Sequence, residues 1–354
     1  MALAAVTPTL QTVTPSPALD ALWQRGRDFL GSRLAILGGA MTWVSERNLV
    51  AAISNGGGFG VLASGSMPPE ILRAEIQATR KLTTKPFGVN LIVMHPKLDE
   101  LAQVCIDEKV GIVVLAGGTP PAATIKLLKD GGARVVAFAP IVAMAKKLIR
   151  NGVDALVIEG MEAGGHIGAV STAVLAQEIL PVVRDVPVFI AGGIGRGEAI
   201  ASFLEMGAAG VQLGTRFVCA SESVAHEKFK TAFIRAAARD AQPSVQLDAR
   251  FPVIPVRALV NQASKDFMAR QREVIGKYEA GDLDLKSAQL EIEHFWAGAL
   301  RKAVVDGDVE AGSLMAGQSV GLVSREEPCA AILSELVGQA NAALDSRRAS
   351  RREG

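Results

Sequence analysis

The stretch GIVVLAGGTPPAATIKLLKDGGARVVAFAPI, residues 111–141, decides the fold. It begins with an apolar, β-branched run, passes through Gly and Pro into a segment with helical spacing of apolar residues, and ends in a second apolar run. Short apolar runs bounded by Gly and Pro are typical of buried strands, and the segment between them is long enough for a crossover helix. The stretch therefore predicts a unit of strand, helix and parallel strand.

The same unit recurs along residues 34–220. Eight apolar runs start at residues 34, 59, 87, 111, 134, 155, 187 and 210, with separations of 21 to 32 residues. Eight such units close a barrel of parallel strands. An open doubly wound sheet is disfavoured, because neither NGGGFG at 55–60 nor GGIGRG at 192–197 has the dinucleotide-binding spacing GxGxxG. The predicted fold class is α/β, a (β/α)₈ TIM barrel with a helical insertion after strand eight.

The predicted domain organisation follows from where this regularity stops. Residues 1–30, which start with a Thr/Pro-rich segment, are predicted to be a flexible leader, and residues 346–354 a flexible basic tail. The barrel takes residues 31–220 and 305–345. Residues 221–304 have a helical pattern and are predicted to form an insertion over the barrel mouth. This insertion has two interpretations of equal weight, a lid on the substrate side or an element that packs a homodimer.

Composition narrows the classes of function and partner. The chain has 354 residues, 49% hydrophobic and 21% charged, which predicts a large buried core. The net charge is only +1, and a cluster of four arginines lies in the C-terminal tail, so no basic face indicates a nucleic-acid partner. The uncharged apolar run 135–145 is broken by Pro140 and is shorter than the ~20 apolar residues that span a bilayer, so no membrane partner is expected. Three widely spaced cysteines and no secretory signal predict a cytoplasmic protein.

A histidine follows the sixth apolar run, within EGMEAGGHIG at residues 159–168. Active sites of such barrels lie at the carboxyl ends of the strands, which is where this segment falls. Histidine has the side-chain pKa that best suits proton transfer near neutral pH, and glycines let the backbone approach a planar or phosphorylated ligand. A lone histidine in a loop is often only a satisfied polar residue, but this placement favours His166 as an acid/base residue.

Glycine-rich loops follow the seventh and eighth runs, in AGGIGRG at 191–197 and QLGTRF at 212–217. Loops at these two places commonly bind phosphate through backbone N–H groups, and the candidate donors are Gly192, Gly193, Gly214 and Thr215. The remaining histidines lack metal-binding spacing, and no nucleophile pattern stands out, so no metal is expected. A phosphate site with a histidine and without a metal predicts a bound cofactor that carries the chemistry.

Together these motifs resemble the superfamily of flavin-dependent enoyl-ACP reductase II and nitronate monooxygenase (2-nitropropane dioxygenase). The shared segments are GGAMTWVSERNLVAAISNGGGFG, PFGVN, EGMEAGGHIG, AGGI and VQLGTRF, within residues 34–343. The resemblance implies that FMN lies across the barrel mouth with His166 beside its reactive ring. The cofactor-binding residues that it implies are Gly39, Ala40, Met41, Asn90, Glu159, Gly164, Gly165, Ala191, Gly192, Gly193, Gln212, Gly214, Thr215, Met315 and Gln318.

The C-terminal part resembles the enoyl reductases, through VRALVNQ at 256–262 and a Met-Ala-Gly-Gln loop at 315–318. Where those enzymes tend to carry a histidine before VRA, this chain has RFPVIP at 250–255. The preferred function is FMN-dependent reduction of a small or carrier-bound 2-enoyl thioester, with NADH or NADPH as co-substrate. The alternative is oxidation of alkyl nitronates with O₂. A third hypothesis, from another class, is a non-catalytic barrel that binds flavin or a phosphorylated metabolite.

Overall fold

The computed structural model describes residues 13–296 and 298–350, and its centre is a barrel of eight parallel strands. Numbered along the chain, neighbouring strands of the barrel follow the order β1, β9, β8, β6, β5, β4, β3, β2. A parallel bridge between Leu37 and Phe59 joins the two ends of this sheet and confirms the predicted (β/α)₈ barrel. The strands are β1 (Ile36–Gly38), β2 (Gly60–Ala63), β3 (Phe87–Ile92), β4 (Ile112–Ala116), β5 (Arg134–Phe138), β6 (Ala155–Glu159), β8 (Val188–Ala191) and β9 (Gly210–Leu213).

In the described part of the chain eight helices surround the barrel, and each of the first seven follows its strand along the chain. The last helix, α14, packs against α8 and α2 and so takes the eighth place in the ring. Within the described residues no helix has the length and apolar character needed to cross a membrane. The ring consists of α2 (Arg47–Asn55), α3 (Pro69–Leu82), α4 (Leu98–Asp107), α5 (Ala122–Asp130), α6 (Val142–Arg150), α7 (Thr172–Ile179), α8 (Gly197–Glu205) and α14 (Cys329–Ser350).

The barrel interior is filled by alternate side chains of the strands, so the barrel is a packed core and not a pore. Residues between them point outward and pack under the helices, which explains why the runs read as continuously apolar. Phe29 and Leu30 enter the interior cluster from the amino end of the barrel. The strand residues of this inner cluster are Leu37, Val61, Ile112, Val114, Val136, Ala155, Val157, Phe189 and Ala191.

The flexible leader predicted for residues 1–30 is wrong from residue 17 onward, where α1 (Pro17–Leu30) covers the amino end of the barrel. Ser16 caps this helix, and Trp23 is fully buried. Gly26 permits the close approach, because a Cβ at this position would overlap the carbonyl group of Ala209. The Thr/Pro-rich start of the chain obscures the helical spacing of apolar residues that follows it. Residues 1–12 lie outside the described residues.

The flexible tail predicted for residues 346–354 is also wrong for its first five residues, which continue α14 to Ser350. Arg347 donates hydrogen bonds to the carboxylate of Glu205 and, at 2.9 Å, to the hydroxyl of Ser202, both on α8. These contacts attach the arginine-rich turn to the barrel, which a sequence pattern dominated by charge does not reveal. Residues 351–354 lie outside the described part of the chain.

The insertion is less uniformly helical than predicted, because two strands interrupt it. These strands, β10 and β11, join the two-residue strand β7 in an antiparallel sheet of order β10, β11, β7. The insertion also has a small aromatic and aliphatic core of its own around Phe251, Phe267 and Val274. After the short helix α9 (Thr215–Val218), its elements are α10 (Glu227–Arg235), β10 (Ala241–Pro243), β11 (Val256–Leu259), α11 (Gln262–Ala280), α12 (Leu285–His294) and α13 (Ala299–Val304), with β7 at Gly165–His166.

Candidate active site

A cavity of about 630 Å³ lies at the carboxyl ends of the barrel strands. Its volume is in the range of cofactor and substrate sites. Gln318 is the one predicted residue that does not line it, although Gly317 and Ser319 on either side do. The backbone N–H of Gln318 instead donates to the carbonyl of Glu162 at 2.9 Å. The predicted residues that line the cavity are Gly39, Ala40, Met41, Asn90, Glu159, Gly164, Gly165, His166, Ala191, Gly192, Gly193, Gln212, Gly214, Thr215 and Met315.

His166 lies in β7, and the insertion fixes its backbone. It pairs with Val256 of β11, and the N–H of the next residue, Ile167, donates to the carbonyl of Pro255 at 3.0 Å. The imidazole lines the cavity and has no hydrogen-bond partner within the described part of the chain. Desolvation lowers the pKa of His166 below its ordinary value. At neutral pH the ring is therefore neutral, and it offers a ligand one N–H donor and one lone pair.

Arg257 connects the insertion to the loop that carries His166, and sequence reasoning missed it. Its side chain is 2% exposed, and its Nε and Nη1 donate to the carbonyls of Met161 (2.9 Å) and Ala241 (2.5 Å). Burial lowers the pKa of this guanidinium, while the charge of Glu162 acts in the opposite direction. The planar fork holds β10 and the histidine loop at a fixed spacing. The segment VRAL stands out as a motif, but nothing in the sequence marks this arginine as buried.

The loop that contains Met315 lies directly against the histidine loop. A Cβ on Gly164 would come within 2.5 Å of the backbone nitrogen of Gly317, so the two backbones are in contact. The N–H of Gly317 donates to Oγ1 of Thr215 at 3.0 Å, and Met315 forms an antiparallel bridge with Ala258 of β11. The histidine loop is thus enclosed between β11 and this loop, both of which come from sequence after residue 220.

The loop after β8 offers backbone donors to an anion. Gly192 and Gly193 have φ values of 93° and 73°, a left-handed conformation that favours glycine. Within the described residues, no hydrogen-bond acceptor satisfies the N–H of Gly193 or that of Gly214 in the loop after β9. The carboxylate of Glu162 accepts from the N–H and the hydroxyl of Thr172, each at 2.9 Å, and the side chain of Glu162 lies against Gly193. These free N–H groups suit a phosphate.

Two polar side chains face the cavity between these loops. Asn90 is 4% exposed, and its Nδ2 donates to the carbonyl of Val114 at 3.1 Å, which leaves the amide oxygen for a ligand. Glu159, at the carboxyl end of β6, has no hydrogen-bond partner in the described part of the chain and lies deep in the barrel mouth. Desolvation raises the pKa of Glu159 to about 7. Because this half-buried carboxyl group has no protein partner among the described residues, it is suited to a ligand that supplies hydroxyl donors.

Other chemistries find no support among the described residues. No group of three or more His, Cys, Asp or Glu side chains there could hold a metal ion. The cysteines are buried and free, and burial raises the pKa of Cys105 and Cys219 to about 12. Thiols of this kind are poor nucleophiles at neutral pH.

The comparisons with known proteins agree with this geometry. A carboxyl-CoA dehydrogenase of Rhodococcus jostii (strain RHA1), named for a hydroxylated methyl-oxo-octahydroindene substrate, is 30% identical over 346 residues, 92% of this chain and 97% of the relative. The structure of FabK from Thermotoga maritima is 36% identical, with a TM-score of 0.83 over 92% of this chain and 98% of that one. A nitroalkane oxidase structure from Streptomyces ansochromogenes is 27% identical, with a TM-score of 0.73 over 91% and 99% of the two chains.

These relatives are oxidoreductases, so the chain is an enzyme, and the hypothesis of a non-catalytic binding barrel is set aside. The nitronate monooxygenase family matches residues 25–105 and 99–339, which is most of the chain. This family and FabK are flavin-dependent in general. By this match over the barrel and its insertion, the chain belongs to the nitronate monooxygenase family of flavin-dependent oxidoreductases.

Proposed function

We propose that this enzyme uses FMN to reduce 2-enoyl thioesters at the expense of NADH or NADPH. The similarity to FabK, an enoyl-ACP reductase II, and to a dehydrogenase named for a carboxyl-CoA thioester supports a thioester substrate. The resemblance of residues 256–262 and 315–318 to the enoyl reductases supports the same choice.

The observation that carries this choice is the apolar rim of the cavity. Met94 and Ile254 line the cavity and are 71% and 59% exposed, so apolar surface lies at its solvent-facing side. Leu300 and Val304 of α13 complete the apolar wall from the insertion side. Ile254 lies in the segment where the enoyl reductases tend to carry a histidine. A wall of this kind suits an acyl chain, whereas a small nitronate would leave most of it exposed to water.

The residues present fit FMN. The free N–H groups of Gly193 and Gly214 would bind its phosphate, and the unpartnered carboxyl group of Glu159 would accept from ribityl hydroxyls. Asn90 would bind the polar edge of the ring system, and the loop at Met315 would cover it. When bound, FMN supplies the two-electron chemistry that connects NAD(P)H to the β-carbon of the enoyl group.

His166 acts on the thioester in this proposal. Because desolvation lowers its pKa, the imidazole is neutral at pH 7 and its N–H donates a hydrogen bond to the thioester carbonyl. This bond strengthens as negative charge develops on that oxygen, which stabilises the enolate. A solvent proton then completes the reaction at the α-carbon. Arg257 is a positioning residue, since it holds the backbone on which His166 is placed.

The insertion serves as a lid in this proposal. Ile254, Leu300 and Val304 belong to it and line the cavity, and its strand β11 pairs with the strand that carries His166. A surface used only to pack a second copy of the chain would have no need of these contacts with the cavity.

Nitronate oxidation is the second candidate. The family match and the similarity to a nitroalkane oxidase favour it, and a neutral His166 has the lone pair needed to remove an α-proton from a nitroalkane. Oxygen would then accept electrons, and NAD(P)H would not be consumed.

One preparation tests both candidates. The purified protein is first examined for a flavin spectrum, and NADH or NADPH absorbance is then followed anaerobically with crotonyl-CoA and longer enoyl thioesters. In parallel, an oxygen electrode records uptake with propyl nitronate. Loss of NAD(P)H in proportion to saturated thioester formed is the expected result. Oxygen uptake driven by nitronate, without thioester reduction, would assign the enzyme to the second candidate.

A further inference from the structure

Trp43 adopts a backbone conformation that its side chain disfavours. Its φ is 69°, within a turn after β1 that is closed by hydrogen bonds from the N–H groups of Val44 (3.0 Å) and Ser45 (2.8 Å) to the carbonyl of Met41. Glycine or asparagine usually fills such a position, and a bulky residue there is a true outlier. Outliers of this kind cluster at ligand sites, where the surrounding structure maintains them. The strain at Trp43 therefore indicates a role for its indole ring.

The indole ring lies beside a guanidinium group, next to residues that line the cavity. Trp43 is 39% exposed, and Cζ of Arg301 lies 5.9 Å from the ring centroid, in a cation–π arrangement. Trp43 belongs to the barrel and Arg301 to α13 of the insertion, so the pair connects the barrel with the insertion. Thr42 and Val44, on either side of Trp43, line the cavity, as do Leu300 and Val304 of the helix that carries Arg301.

Positive charge is available at this pair. Nη1 of Arg301 forms an ion pair with Asp306 at 3.1 Å, and because both side chains are about half exposed this pair is weak. Nε and Nη2 of Arg301 donate to no protein atom within the described residues. In proteins generally, this edge of an arginine side chain binds phosphate in bidentate fashion. The adjacent Lys302 forms no ion pair in the same part of the chain.

We propose that Trp43 and Arg301 form a subsite for an adenosine diphosphate moiety at the mouth of the cavity. The adenine ring stacks on the indole face opposite the guanidinium, and Arg301 and Lys302 bind the phosphates. The inference rests on the proposed function, in which two molecules that carry this moiety meet at the cavity: the nicotinamide dinucleotide and a coenzyme A thioester. Trp43 and Arg301 do not line the cavity themselves, but their neighbours Thr42, Val44 and Leu300 do, which places the subsite beside the cavity and away from the glycine loops.

Binding of ADP to the flavin-loaded enzyme, measured by isothermal titration calorimetry, tests the subsite. Trp43→Asn removes the ring and suits the left-handed backbone, so the fold is kept. A loss of about tenfold or more in ADP affinity is expected for Trp43→Asn, the size that stacking on an aromatic side chain provides. A loss of about tenfold is also expected for Arg301→Gln, which removes charged hydrogen bonds to the phosphates. Trp43→Phe keeps an aromatic face and retains most of the affinity. Arg272→Gln, a matched loss of an exposed arginine on α11, leaves it unchanged.

Titrations with NAD⁺, NADP⁺, free coenzyme A and pantetheine identify the source of the moiety. Weaker NAD⁺ or NADP⁺ binding in Trp43→Asn assigns the subsite to the dinucleotide, and weaker coenzyme A binding with unchanged pantetheine binding assigns it to the thioester. No ADP binding by the wild type, or equal binding by the wild type, Trp43→Asn and Arg301→Gln, overturns the proposal. These titrations require no turnover, so a failure to reduce enoyl thioesters would refute the proposed function alone.

Discussion

Replacing Glu159 with Gln is expected to remove a pH-dependent loss of stability from the flavin-free protein. The carboxyl group lies in the cavity without a protein partner among the described residues, and desolvation raises its pKa from 4.5 to about 7. The folded chain thus binds this proton more tightly than the unfolded chain. The contribution of the protonated Glu159 to the free energy of unfolding is full below pH 4.5 and is lost as the pH rises through about 7.

The difference between the two pKa values corresponds to about 3 kcal/mol of unfolding free energy, at about 1.4 kcal/mol per pH unit. Urea unfolding of the flavin-free protein at about pH 5 and about pH 8 covers most of this range. From about pH 5 to about pH 8, the unfolding free energy of the wild type should fall by about 2 kcal/mol more than that of Glu159→Gln. Glu178→Gln, on the exposed face of α7, is the matched control and should behave as the wild type. Equal pH dependence in the wild type and Glu159→Gln would show that the Glu159 carboxyl group does not have a raised pKa in the folded protein.

Three further substitutions test how the site is built. Arg257→Gln should destabilise the protein by about 2–5 kcal/mol, because two buried carbonyls lose their donor. It should also lower kcat more than it raises KM, and Arg257→Lys should recover part of the lost kcat. Unchanged kinetics in Arg257→Gln would show that Arg257 does not position His166. Gly164→Ala should lower flavin occupancy, measured by absorbance per protein, because the new Cβ would force the backbone at Gly317 away; full occupancy would contradict that contact. Ile254→Ser should raise KM for a long enoyl thioester more than for crotonyl-CoA; equal effects would remove Ile254 from the acyl wall.

The barrel could be predicted from the sequence because one pattern repeats eight times. Each predicted run overlaps a strand, and the residues that follow the runs meet at one end of the barrel, since parallel strands all end there. This geometry is why Asn90, His166 and Thr215, far apart in the chain, could be grouped from their positions in the sequence alone.

What could not be predicted depends on contacts between distant segments. The burial of Arg257 arises only when β11 pairs with β7, and that pairing brings residue 257 beside residue 165. The strain at Trp43 is a backbone angle that no composition or spacing reveals. The family resemblance predicts Gln318 at the cofactor, whereas the structure orients its neighbours Gly317 and Ser319 into the cavity.

A stopped-flow measurement of the two half-reactions in wild type and His166→Ala tests the role of His166 most directly. His166 has no protein hydrogen-bond partner within the described residues, so its loss should leave flavin content and flavin reduction by NAD(P)H unchanged. Reoxidation of the reduced flavin by crotonyl-CoA should slow by about 10²–10⁴-fold, the usual contribution of a residue in this role. Reoxidation at the wild-type rate in His166→Ala would contradict the assignment of His166 to the thioester.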